Sequence, residues 1–168
     1  MKSGKLVSGS NGDKKIKFWD LNNYSKIKTF SNINSTQYNN CLIEVDNNIF
    51  VGEKNGIRIF TIKNNLIEYK FYEDNNLERV LALYYLGNNI IIAGSTTGFI
   101  YLYKIRENNE IITLENINVF RNNPKAIKGN HDYSVSCLLY LNNLIISGSI
   151  DGLINCYKYK NKWIYIIF

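Results

Sequence analysis

His131 is the chain's single histidine, and Asp132 beside it, with Ser134 and Ser147 further on, supplies the residue types of a nucleophilic triad. In such a triad a carboxylate fixes one imidazole nitrogen while the other takes a hydroxyl proton. The remaining parts of an active site are missing. The sequence has no HExxH pair for zinc, no GxSxG elbow for a serine nucleophile and no glycine run that would cradle a phosphate. Cys41, Cys137 and Cys156 form no CxxC pair, and an odd number does not suit a disulfide framework. Cys41 and Cys137 each precede a leucine in an apolar run, the behaviour of a small buried hydrophobe. No cofactor or metal is expected, and catalysis is not the expected activity.

Charge is the second resource. A formal net charge of +6 and a pI near 9.1 come from scattered lysines, without the run of like charges that marks a nucleic-acid arm. They predict solubility and a weak attraction for acidic partners. The first twenty residues lack a signal peptide's apolar centre, and no apolar run approaches the roughly 20 residues of a membrane helix. An intracellular location, cytoplasmic or nuclear, is expected, with no membrane contact.

The elements that must position these residues recur. "IIIAGSTTGFIYLYKI" (Ile90–Ile105) is followed some fifty residues later by "LIISGSIDGLINCYKY" (Leu144–Tyr159). Aligning Ser8-Gly9, Val51-Gly52, Ala93-Gly94 and Ser147-Gly148 yields four copies, with glycine intervals of 43, 42 and 54 residues. Periods near forty with strand-like content predict propeller blades.

Each unit alternates short apolar runs with turn signals. The first turn is expected at Asn47-Asn48, Gly87-Asn88-Asn89 and Asn142-Asn143. The second falls at Asn11-Gly12, Asn55-Gly56, Thr97-Gly98 and Asp151-Gly152, and the third at Asn22-Asn23, Asn64-Asn65, Asn108-Asn109 and Asn161. Asparagine and glycine accept the positive φ that tight hairpins demand. The expected fold is therefore all-β: four antiparallel sheets of four strands, one each from 1–36, 37–78, 79–130 and 131–168. The first sheet lacks its inner strand, because Lys5 to Ser8 already reads as a second strand. A looser outer strand is expected around Ile111 to Phe120. The first two strands of a unit are almost continuously apolar, as stacking between sheets on both faces requires.

"SGSNGDKKIKFWDL" (Ser8–Leu21) resembles the end of a WD repeat, with Trp19-Asp20 as its signature dipeptide. The tryptophan position holds Phe60, Tyr103 and Tyr157 in the later units, so these repeats are degenerate. The resemblance implies a buried structural network of histidine, serine, aspartate and aromatic. By position that network would be His131, Ser147, Asp151 and Tyr157 in the fourth unit, and Ser8, Asp13 and Trp19 in the first. Units two and three show no such set. The resemblance also implies a non-enzymatic scaffold for protein–protein interaction, its partners other proteins.

An RNA or ribonucleoprotein-associated module is the alternative, using a basic loop face of Lys14, Lys15, Lys54, Arg79, Arg121, Lys125 and Lys128. Twelve extra residues before the fourth unit bring the last three of these. A seven-bladed ring of such units needs roughly 300 residues. The expectation is thus an open arc belonging to a longer protein, with an arc completed by a second chain, or a distorted four-bladed ring, as alternatives.

Overall fold

The structure, a computed structural model, describes residues 5–10, 12–31, 39–63, 66–108, 111–121, 134–160 and 163–166. They form fifteen strands in four antiparallel sheets. The first sheet contains β1 (Lys5–Gly9), β2 (Lys15–Asp20) and β3 (Ser25–Ser31). The second contains β4 (Cys41–Val45), β5 (Asn48–Glu53), β6 (Gly56–Lys63) and β7 (Leu66–Glu73). β8 (Val80–Gly87), β9 (Ile90–Ser95), β10 (Phe99–Asn108) and β11 (Ile111–Arg121) form the third. β12 (Val135–Leu141), β13 (Leu144–Ser149), β14 (Ile154–Lys160) and β15 (Trp163–Ile166) form the fourth. Each sheet is a meander in chain order, and the only helical turn among the described residues is a short 3-10 segment, Asn75–Leu77.

Two-residue turns close the hairpins at Asn88-Asn89 and Asn142-Asn143, where all four asparagines have positive φ, the type I′ geometry that matches strand twist. In the second sheet the turn is Asp46-Asn47, one residue earlier than the asparagine pair predicts, because Val45 pairs with Asn48. Asp46 takes the left-handed conformation there. β11 is also not loose: it pairs with β10 along its whole length, and one bulge beside Leu102/Tyr103 absorbs the irregularity. The turn signals at Asn11, Asn64-Asn65, Asn109 and Asn161 lie outside the described residues.

Alternation of side chains sends each strand's apolar residues to both faces, so every internal sheet contributes to two cores. Ile16 and Phe18 of the first sheet pack on Ile49, Val51 and Phe60 of the second. Phe50, Ile57 and Ile59 on its other face pack on Ile91, Tyr101 and Tyr103 of the third. Ile92, Ile100 and Leu102 then meet Val135, Ile145 and Tyr157 of the fourth. β4, β8 and β12 run side by side along one edge of this stack.

Glycine is required where the sheets approach. A Cβ on Gly52 would lie 2.6 Å from Val80 Cγ1, and one on Gly94 would lie 2.6 Å from Val135 Cγ1. Valine at the start of an inner strand thus nests on the preceding sheet's glycine.

The stack is an open arc. Ile16, Ile57, Ile100 and Ile154 hold one register position opposite the repeat glycine, and the first three are fully buried while Ile154 is 72% exposed. At the other end Leu6 is 50% exposed, although its equivalents Ile49, Ile91 and Ile145 are buried.

Candidate functional site

The aromatic at the tryptophan position sits on the strand that follows the repeat glycine's strand, β2, β6, β10 and β14, and in the second, third and fourth sheets it faces the preceding sheet. Trp19, Phe60, Tyr103 and Tyr157 pair with Leu6, Ile49, Ile91 and Ile145, respectively, so they are equivalent in register. Phe60, Tyr103 and Tyr157 are fully buried, and Trp19, on the uncovered face of the first sheet, is half-buried.

What each aromatic bonds follows from whether it carries a polar group. Trp19 donates from Nε1 to Ser8 Oγ at 3.0 Å. Tyr157 shares hydrogen bonds with Ser147 and Asn155, and burial, opposed by those bonds, pushes its pKa up to about 12. Phe60 has nothing to donate, and the serine position beside it is Val51. Tyr103 lies where that position is Ala93, and its hydroxyl turns instead to the loop before β8, donating to Asp74 Oδ2 at 2.8 Å. Its neighbour Tyr101 donates to the Asn76 carbonyl at 2.7 Å, and Asp74 caps the short 3-10 turn between them. Burial first, and then the bond to Asp74, raise the Tyr103 pKa. A buried donor without a partner costs about 1–3 kcal/mol, which explains why partner and donor change together.

Among the residues assigned to the network by position, Ser8 meets Trp19 and Ser147 meets Tyr157. Asp13 stands apart: its exposed carboxylate accepts from Lys17 Nζ at 2.9 Å and from the Lys15 amide. Asp151 binds the Leu153 amide through Oδ1, while its buried Oδ2 has no partner among the described residues. His131 lies outside them. The Asp74–Tyr103 pair was hidden because its members are 29 residues apart.

Glu53 and Arg58 form a second buried polar group. Arg58 Nε and Nη2 donate to Glu53 Oε1 and Oε2 at 2.6 and 2.9 Å, with the guanidinium over Tyr69 and Phe71. Both residues are buried. A sequence signal existed: glutamate follows Gly52 where serine follows the other three repeat glycines, and Arg58 interrupts the apolar run of β6.

The basic loop face is only partly assembled. Lys54, in the β5–β6 turn, bridges antiparallel to Arg79 just before β8, and with Glu78, Thr96 and Ser134 they line a cavity of about 350 Å³. Thr96 Oγ1 donates to Glu78 Oε2 at 3.1 Å, and Ser134 Oγ donates to the Thr96 carbonyl at 3.2 Å. Glu78 has φ 50° and ψ −72°, held by its carbonyl's bond from the Asn55 amide at 2.7 Å. A non-glycine residue held in this region is the kind of local strain that collects at ligand sites. Lys14 and Lys15 belong to the first sheet and do not line this cavity. Arg121 ends β11, and Lys125 and Lys128 lie outside the described residues. Among the described residues no three of His, Cys, Asp or Glu converge to hold a metal, and no helix is long and apolar enough to cross a membrane.

The arrangement matches solved propellers. The chain is similar to the WD40 repeats of RRP9 (TM-score 0.75, 12% identity, 99% of this chain and 50% of that one). It is similar to the WD40 β-propeller domain of Doa1 (TM-score 0.68, 23% identity, 97% and 50%). A third similar structure is the computationally designed Ika4 protein (TM-score 0.60, 20% identity, 94% and 86%). No family model and no curated protein matches the chain. The fold is thus that of a WD40-type β-propeller, present as an open arc of four sheets spanning half the length of the two WD40 structures.

Proposed function

We propose that the arc is a non-enzymatic scaffold for protein–protein interaction, and that its contact surface is the loop face around Lys54, Arg79, Thr96 and Ser134. The carrying observation is the convergence there of turns from the second, third and fourth sheets on one cavity of about 350 Å³. Rigid sheets hold these loops at little entropic cost on binding. Two cations suit a carboxylate side chain of a partner peptide, and the Thr96 and Ser134 oxygens, whose protons are already donated, suit with Glu78 a neighbouring basic or amide group.

RNA is the second reading. Phosphate recognition favours an uninterrupted positive field, and Glu78 in the same lining as the cations works against it. The two readings separate in one binding experiment, fluorescence anisotropy with a labelled acidic peptide, a neutral peptide and a uridine oligonucleotide across a salt series. Preference for the acidic peptide, lost at least about tenfold in Lys54→Glu/Arg79→Glu, is expected for the scaffold. Oligonucleotide binding that falls steeply with salt, with no peptide binding, would replace it with the RNA reading.

A further inference from the structure

The second and third sheets are the internal members of the arc, and one hairpin at their junction is longer than its counterparts. β10 has 10 residues and β11 has 11, against 8 or fewer in every other described strand. Ile105, Ile112 and Leu114 of this hairpin are buried in the core shared with the second sheet, while Glu107 and Ile111 near its tip are exposed. Opposite them, Ile59, Thr61 and Lys63 follow one another on the face of β6 that is turned to the third sheet. Between the two walls runs a trough in two connected parts. The first, of about 340 Å³, is lined among others by Ile59, Glu68, Lys70 and Ile111. The second, of about 200 Å³, is lined among others by Asp46, Asn48, Lys63 and Glu107. Thr61 and Ile112 line both.

The chemistry of the trough changes along its length. Ile59, Ile111 and Ile112 make an apolar seat at one end, and Ile111 is 55% exposed, so the seat is not filled by the chain itself. In the middle Thr61 Oγ1 donates to Asn48 Oδ1 at 2.8 Å, which leaves the hydroxyl oxygen as an acceptor and the Asn48 amide nitrogen as a donor, the two groups a peptide backbone pairs with. The carboxylates of Asp46, Glu68 and Glu107 outnumber the ammonium groups of Lys63 and Lys70, an acidic excess in a chain whose formal net charge is +6. Two of those carboxylates, Asp46 and Glu107, belong to the end away from the apolar seat. From Ile59 to Lys63 the trough follows β6 for about 13 Å, the span of about four extended residues. We propose that it binds an extended segment of a partner protein, with an apolar side chain seated on Ile59, Ile111 and Ile112 and a neighbouring lysine or arginine directed to Asp46 and Glu107. The segment is thus the charge opposite of the one suited to the loop face, and the two sites lie apart, because Asp46 precedes β5 and Lys54 follows it.

This binding does not depend on the loop face taking any partner. Selection from a randomised linear octapeptide phage library on the immobilised 168-residue chain tests it. The expected selection is an apolar residue next to lysine or arginine. A labelled peptide of the selected sequence should bind Ile111→Asp at least about tenfold more weakly than the parent, and Ile111→Ser more weakly by a smaller factor. Asp46→Asn/Glu107→Gln should abolish the preference for that peptide over its counterpart with glutamine in place of the basic residue. Lys54→Glu/Arg79→Glu should bind it as the parent does. All three substituted trough positions are exposed, and asparagine accepts the left-handed backbone of Asp46, so the strand-rich circular dichroism of the parent should be kept. A selection without this motif would overturn the proposal, as would a selected peptide that binds both Ile111 variants as tightly as the parent. Selection of acidic peptides alone, lost in Lys54→Glu/Arg79→Glu, would overturn it while leaving the loop-face reading intact.

Discussion

Tyr103 serves the junction between the second and third sheets in two ways, by filling volume and by donating to Asp74, and the two can be separated. Tyr103→Phe keeps the ring and leaves Asp74 short of one donor, which should cost about 1–3 kcal/mol in urea unfolding. Tyr103→Ala also empties an aromatic site and should cost about 3–5 kcal/mol. The buried Glu53–Arg58 pair predicts a different pattern. Arg58→Met or Glu53→Leu alone strands a buried charge and should cost about 3–5 kcal/mol, whereas the double substitution should be close to neutral. Equal losses in the double and single variants would show that the pair's shape, not its charge, matters. Tyr157 makes stability depend on alkaline pH. Below its ordinary value of 10.0 both folded and unfolded chains keep the phenol proton, and the folded state's preference for it has its full effect. Between pH 10 and about 12 the unfolded chain ionises while the folded chain does not, so stability falls as pH rises. Tyr103 acts with the same sign. Unfolding midpoints of Tyr157→Phe over this range should decline less steeply than those of the parent.

Hairpins and glycine contacts decide whether the elements keep their register. Asn88 and Asn89 both hold positive φ, so Asn89→Gly should leave stability unchanged or slightly raised, and Asn88→Val should lose about 1–3 kcal/mol. These turns were legible in the sequence because asparagine pairs between apolar runs signal type I′ geometry. The repeat register was legible for a similar reason: glycine recurs where a following sheet must come close. Asp46-Asn47 was misplaced by one residue because Asp46 tolerates the left-handed region as asparagine does, and pairing of Val45 with Asn48 decided between them. β11 looked loose because charged and polar residues interrupt it, yet an outer strand with one solvated face needs only alternate apolar positions, and Ile112 and Leu114 supply them. The Asp74–Tyr103 pair was not legible, and of the Glu53–Arg58 pair the sequence marked only two charges out of pattern, since each pairing depends on burial that only the stacking of sheets creates.

The whole molecule should unfold from its ends, because its cores differ in extent. The cluster between the second and third sheets joins residues from β4, β5, β6, β8, β9, β10, β11 and the short turn at Leu77, while the two outer clusters are much smaller. In a stack where each sheet contacts only its neighbours, stability is a sum of sheet and junction contributions, and local opening follows the weakest junction. Hydrogen exchange under native conditions should therefore find the slowest amides in β5, β6, β9 and β10 and faster ones in β1, β2, β13 and β14. Ile145→Ala, at the junction of the third and fourth sheets, should cost about 2–5 kcal/mol locally and speed exchange in β12 to β14 while leaving β5 and β6 protected. Tyr103→Ala at the central junction should instead accelerate exchange on both sides of it, because its removal weakens the contact that couples the two halves. Uniform acceleration across all four sheets by Ile145→Ala would mean that the arc opens as a single cooperative unit, and the nearest-neighbour description would fail.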